Sequence, residues 1–197
     1  MPFQVDTGGT LTTNLIGYWA MNEATGTSVA DSVSTLTGTV NGNTSIIVGK
    51  LGNGKNFDGT SDDVNFPSPI STVNNNYTMM CWARPASLSQ AAYAPIFING
   101  FNGSASGNGY GISMHSAAGA TLSMAFPGVN TVSSGFTFTD TTTWRHIVLV
   151  RNAGTTRVYI DAVLQSGTST VTGTTPTTNP KLGGSNSTNS FNGGIDE

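Results

Sequence analysis

Residues 144–163 read WRHIVLVRNAGTTRVYIDAV, and this stretch decides the fold class. Trp144, His146, Val148 and Val150 alternate with Arg145, Ile147, Leu149 and Arg151, the two-residue period of a strand. Both faces carry apolar residues, so a strand covered on both sides is expected, with Trp144 and His146 in or near a core. From Thr156 to Ile160 the alternation resumes, with Val158 and Ile160 against Arg157, Tyr159 and Asp161. Asn152-Ala153-Gly154 supplies the short Gly-containing loop of an antiparallel hairpin.

Outward from the hairpin the same signature recurs. Strands are expected at Leu15 to Met21, Leu36 to Val40, Ser45 to Val48, Pro95 to Asn99, Tyr110 to His115 and Thr121 to Phe126. Tyr77 to Arg84 is a strong one, with Tyr77, Met79, Cys81 and Ala83 on one face and Met80 and Trp82 on the other. Short segments near Phe136 to Phe138, Lys181 to Gly183 and Phe191 to Glu197 complete the series. No window of about 12 residues holds an apolar helical period. Many short strands separated by Gly, Pro and Asn turns describe an all-β, two-sheet antiparallel sandwich. Residues 1–13 form a patternless Thr/Gly-rich arm, and residues 14–197 are expected to make one domain.

Only 9% of residues are charged, against about a quarter in ordinary globular chains. A net charge of −3 with seven scattered Lys and Arg leaves no electrostatic footprint for nucleic acid. Apolar runs such as Ile147 to Val150 are too short for membrane insertion. The opening MPFQVDTGGTLTTN has neither the basic nor the apolar region of a secretory signal peptide. An extracellular or virion-surface location then requires a longer precursor or release as part of a particle. Cys81 is the single cysteine, so no internal disulfide forms, and its apolar strand makes it a small buried hydrophobe.

Five segments, LIGYWAMNEATGTSVADS (15–32), GKLGNGKNFDGTSDDV (49–64), YTMMCWARPASL (77–88), the hairpin, and PKLGGSNSTNSFNGGIDE (180–197), together resemble the laminin-G-like domains of the concanavalin A-like lectin/glucanase superfamily. The resemblance implies a jelly-roll of two curved antiparallel sheets, usually a non-catalytic module that binds glycans or proteins at a surface. Three features depart from the pattern. Similar domains continue past Ile195-Asp196-Glu197, so here the closing strand is short or completed by a partner. At the turn where they carry Asn-Gly or Asp-Gly stands Asp161-Ala162; alanine resists a type I′ turn, so another turn is expected. The loop after Asp31 reads Ser-Val-Ser-Thr-Leu-Thr rather than being rich in Gly and Asn. The resemblance also implies a structural calcium on Asp31 and Asp196, with Asn22 or Glu23 nearby. The competing reading makes both acids backbone-binding turn residues.

Glycoside hydrolysis needs two carboxyl groups about 5 to 9 Å apart. Glu23 and Glu197 are the only glutamates, and Asp58, Asp62 and Asp63 read as turn chemistry, so the chain is expected not to be an enzyme. His115 and His146 accompany no nucleophile motif. Trp19, Trp82 and Trp144 sit in apolar strand patterns and are assigned to the core. Sugar contacts are sought instead on Tyr93, Phe101, Asn102, Asn108 and Tyr110, which bracket the loop FNGSASGNG; the other reading packs these side chains against the loop. The leading expectation is a surface-exposed binding or adhesion module for a glycan or surface protein. The alternative is a virion decoration or fibre subunit meeting neighbouring subunits through residues 1–13 and the C-terminal edge. A glycoside hydrolase or lyase stands as a remote third.

Overall fold

The computed structural model describes residues 14–72, 75–101, 107–115, 117, 119–184 and 189–197, and none of these is helical. Fifteen strands follow in order: β1 Ser28–Val29, β2 Gly38–Asn41, β3 Ser45–Val48, β4 Asn53–Asp58, β5 Asp63–Asn65, β6 Tyr77–Pro85, β7 Pro95–Phe101, β8 Asn108–Met114, β9 Thr121–Phe126, β10 Asn130–Thr137, β11 Arg145–Asn152, β12 Thr155–Ile160, β13 Val163–Ser169, β14 Lys181–Leu182 and β15 Asn192–Asp196. They build an eight-stranded sheet, β1-β2-β5-β14-β7-β8-β9-β10, and a seven-stranded sheet, β13-β12-β11-β6-β15-β4-β3. Every pairing is antiparallel. This is the jelly-roll sandwich expected from the alternation.

The inner faces meet in one core. Met79, Cys81 and Ala83 of β6, Ile147 and Leu149 of β11, and Val158 and Ile160 of β12 pack against Ile96, Ile112, Met114, Leu122 and Met124 of the other sheet. Trp19 seals one end edge-on to Phe66 and Phe97, at 4.8 and 6.2 Å between ring centroids, and its Nε1 donates to the Leu36 carbonyl at 2.8 Å. Burial, with the nearby Asp196 charge, pushes the Cys81 thiol up to about 12, which makes it inert as a nucleophile.

Three expectations are corrected. Leu15 to Met21 forms no strand; it is held by side chains and isolated bonds, such as Ser32 N–H to the Tyr18 carbonyl at 2.9 Å. The inward face of β11 is Ile147, Leu149 and Arg151, so Trp144 and His146 are half-buried on the outer face and Trp82 joins them; of the three tryptophans Trp19 alone is in the core. Finally, Asp161 and Ala162 do adopt the primed turn, with φ of 50° and 68°, between the paired residues Ile160 and Val163. Asp161 anchors that turn: its carboxylate accepts from His146 N–H and Arg145 Nη1, both at 2.9 Å, and its own N–H donates to the His146 carbonyl. These bonds hold an alanine in a left-handed conformation that costs about 1 kcal/mol. Ala162→Gly is therefore expected to raise the melting temperature by ~2–4 °C. An unchanged or lower melting temperature would mean that Ala162 carries no strain.

Candidate functional site

The outer face of the seven-stranded sheet is built by pairing across strands. Trp82 stands opposite His146 and Met80 opposite Val148; Val148 is opposite Tyr159, and Tyr159 opposite Leu164. Directly opposed residues share a face, so one band of rings and apolar side chains crosses β6, β11, β12 and β13. Trp82 and His146 lie 4.8 Å apart between ring centroids. Lys50 Nζ sits 4.9 Å from the centre of the Trp82 ring, and the Arg84 guanidinium 5.0 Å from Trp144. Gly194 is the bed of the Trp144 ring: a Cβ there would lie 2.6 Å from Trp144 Cη2. Met80 is 53% exposed, and Leu164 is also exposed. Among the described residues nothing covers this aromatic and aliphatic face, and cations flank it.

Beside it, a cavity of about 850 Å³ opens along β6, lined on one side by Leu15 to Trp19 and on the other by Tyr77 to Trp82, with Glu197 among its lining residues. Tyr77 and Tyr110 stack inside it at 3.8 Å. Tyr18 donates to Glu197 Oε1 at 2.5 Å. Burial and this carboxylate together hold the Tyr18 phenol above its usual range.

The structure places the loop residues singled out from the sequence in different settings. Asn102 lies outside the described residues, and Phe101 ends β7 paired with Asn108. Asn108 spends its carbonyl oxygen on Thr177 N–H and Thr178 Oγ1, both at 3.1 Å. Tyr110 is buried, and its hydroxyl accepts from Asn99 Nδ2 at 3.0 Å. Tyr93 is 41% exposed, with a left-handed φ of 59°. Asn108 and Tyr110 are thus engaged with residues outside the loop, and Tyr93 is partly exposed.

The acids are engaged in turns. Asp31 Oδ1 accepts from Tyr18 N–H at 3.0 Å and Val33 N–H at 2.9 Å, and Oδ2 accepts from Ser34. Asp196 Oδ2 accepts from Lys50 and Leu51 N–H at 2.7 and 2.9 Å, while Oδ1 has no hydrogen-bond partner among the described residues. Burial raises the Asp196 carboxyl above the usual range against the pull of those two N–H groups. Glu23 Oε2 likewise accepts no hydrogen bond among the described residues, and no three His, Cys, Asp or Glu side chains are grouped there. Asp62 is wholly buried and binds Asn43 N–H at 2.6 Å and Asp58 N–H at 2.9 Å; Asp58 accepts from Thr60. The turn reading of this acidic cluster describes these bonds.

The family model of the concanavalin A-like lectin/glucanases superfamily matches residues 57–197, and the chain belongs to that superfamily. No curated protein matches the sequence. Among solved structures it is similar to domain 4 of AbnA, a GH43 extracellular arabinanase from Geobacillus stearothermophilus in complex with arabinotriose; identity is 19%, 85% of this chain and 83% of that one are covered, and the TM-score is 0.66. It is also similar to Trypanosoma rangeli sialidase in complex with 2,3-difluorosialic acid, at 16% identity, 91% and 29% coverage and TM-score 0.68. A mutant of that sialidase displaying trans-sialidase activity gives 17% identity, 94% and 30% coverage and TM-score 0.68. The chain therefore spans under a third of the sialidases, and identities this low carry the fold alone. The expectation of an adhesion module or virion subunit is thereby corrected: the solved structures found similar are a domain of an arabinanase and a sialidase. Reading the chain as a hydrolase in its own right gains no better support. No helix among the described residues is long and apolar enough to cross a membrane.

Proposed function

We propose that this chain is a carbohydrate-recognition domain of an extracellular glycan-degrading enzyme. The ring-lined outer face carries this reading: the apolar C–H faces of sugars stack on half-exposed aromatic rings, and Lys50 and Arg84 beside Trp82 and Trp144 offer donors to hydroxyl or carboxylate oxygens. Two facts support it. The arabinanase domain of the same fold is complexed with arabinotriose. Among the described acids, Glu23 faces Lys55 at 3.6 Å and Asp63 faces Lys181 at 2.8 Å, and ion-paired structural carboxylates are poor candidates for an acid/base pair.

Titration of the full chain with arabinotriose and with sialyllactose, followed by tryptophan fluorescence and calorimetry, is expected to show saturable binding of at least one. Trp82→Ala should weaken it by about tenfold, equivalent to ~1.4 kcal/mol, with the circular dichroism spectrum unchanged, and Tyr93→Ala by less than about twofold. Loss through Tyr93→Ala instead would move the site to the loops. Binding of neither sugar would reject the reading.

A further inference from the structure

The chain has seven Lys and Arg in all, and they divide by position. Lys55 faces Glu23, Arg145 faces Asp140 and Asp161, and Lys181 faces Asp63, while Arg151 is buried against neutral oxygens. The remaining three, Lys50, Arg84 and Arg157, form no ion pair among the described residues. All three lie at the outer face of the seven-stranded sheet. Arg84 follows Thr78, Met80 and Trp82 along the outward side of β6. Arg157 stands opposite Val150, which stands opposite Thr78, so it shares that face, and the Lys50 ammonium reaches it over the Trp82 ring. The acids nearby are already engaged. Asp161 binds Arg145 and the His146 N–H, wholly buried Asp196 accepts from Lys50 and Leu51 N–H, and Glu197 accepts from Tyr18. Asp6 is the one acid outside the described residues, which leaves a single carboxylate of this chain for three cations. Although the net charge is −3, this face is locally positive.

We propose that this face takes an acidic glycan, a chain of sugars bearing carboxylates on more than one unit, in preference to a neutral one. The face is the one assigned to carbohydrate above, and the proposal rests on that reading and adds the charge of the ligand. Sugar C–H faces stack on the indole rings. A carboxylate beside a stacked sugar meets Lys50 as a point charge or Arg84 as a two-pronged donor. Thr78 and Arg84 lie six residues apart on β6, and Arg157 stands two strands across from Thr78. At ~3.3 Å per residue and ~4.8 Å per strand, Arg84 and Arg157 are therefore about 22 Å apart. One carboxylate cannot answer both, whereas acids repeated along a chain can. Between them Met80, Val148 and Tyr159 form a row across the sheet, an apolar track for the sugar units. An acidic peptide would satisfy the cations equally well, but its backbone makes no use of flat ring faces, so the rings favour a glycan.

The test titrates the full chain with hexagalacturonate, with its methyl ester, which keeps the sugar rings and loses the charge, and with arabinotriose. The acid is expected to bind at least tenfold more tightly than the ester. Raising the ionic strength from about 0.01 to about 1 M, which shortens the screening length from ~30 to ~3 Å, should remove that advantage. Lys50→Gln combined with Arg84→Gln should weaken the acid at least tenfold and the ester less than twofold. Arg157→Gln should weaken hexagalacturonate several-fold and leave digalacturonate, too short to reach it, unchanged. Equal or weaker binding of the acid, or an advantage that salt does not diminish, overturns the proposal and leaves the carbohydrate reading standing. Binding of none of these sugars, nor of sialyllactose, overturns both. A hexaglutamate peptide that binds as tightly as hexagalacturonate also overturns the proposal, since charge without sugar rings would then suffice.

Discussion

Replacing Arg151 with alanine is expected to lower the unfolding free energy by about 3 kcal/mol or more, among the largest single-residue losses in the chain. Arg151 is 3% exposed, on the inner face of β11. Its Nη1 donates to Thr156 Oγ1 at 2.9 Å and to the Val171 carbonyl at 2.8 Å, and Nη2 donates to Thr172 Oγ1 at 2.7 Å. Among the described residues no carboxylate forms an ion pair with it. The guanidinium therefore works as a hydrogen-bonding hub that ties residues 171–172 to the β11–β12 hairpin. Bonds to a charged group are each worth about 1.5–3 kcal/mol; truncation also orphans the Val171 carbonyl and leaves a cavity. For a chain of this size 3 kcal/mol corresponds to a fall of ~6–12 °C in melting temperature. Arg157→Ala, on the half-exposed face of β12, is expected to stay within about 0.5 kcal/mol. Urea denaturation of both variants provides the check. A loss below about 1 kcal/mol for Arg151→Ala would show that solvent reaches those acceptors in its place.

Arg151 also marks where the sequence stops being legible. Alternation placed most of the strands, and in β6 it separated Met79, Cys81 and Ala83 from Met80 and Trp82, the division the structure has, although Trp82, assigned to the core, lies on the outer face. In β11 the same alternation was ambiguous. Val148 and Val150 are as apolar as Ile147 and Leu149, and Trp144 with His146 outweighed Arg145 with Arg151 on any hydrophobicity scale. The inward face was decided by what the core could satisfy, and three oxygen acceptors around Arg151 made an arginine acceptable there. Lys55 follows the same logic. It is 2% exposed, with its Nζ 3.3 Å from the Glu23 carbonyl and 3.6 Å from Glu23 Oε2, a long-range partnership that no local pattern encodes.

The candidate site was half legible for a related reason. Its rings were visible, yet their exposure depended on whether anything covers the outer face of the seven-stranded sheet, which is a question of layers and not of strands. The cavity wall was less legible still. Leu15 to Met21 has the composition of a strand and is not one, because strand formation requires a neighbour at ladder distance and this segment lies across the cavity from β6. Propensity described the residues correctly, and the missing partner decided their state.

Gly183→Ala is the second severe variant, expected to cost about 3 kcal/mol or more or to prevent folding outright. Gly183 has φ of 75°, a left-handed conformation, and a Cβ there would lie 2.2 Å from Cδ1 and Cε1 of Phe57. Phe57 is fully buried, so its ring has no room to yield. The backbone cannot yield either: Gly183 N–H donates to the Ile96 carbonyl at 3.0 Å, and its carbonyl accepts from Phe191 N–H at 2.7 Å. The left-handed conformation contributes ~1–2 kcal/mol and forced overpacking a further ~1–3 kcal/mol. Gly154→Ala separates the two. Gly154 has nearly the same φ, 79°, but nothing lies within 4 Å of its missing Cβ, so that variant should lose only ~1–2 kcal/mol. Thermal melts that place the two variants together would remove the Phe57 contact from the account. A wide gap would locate the constraint at the junction where β14 hands the chain on to Phe191, the residue that leads into β15 and so sets the Gly194 bed beneath Trp144.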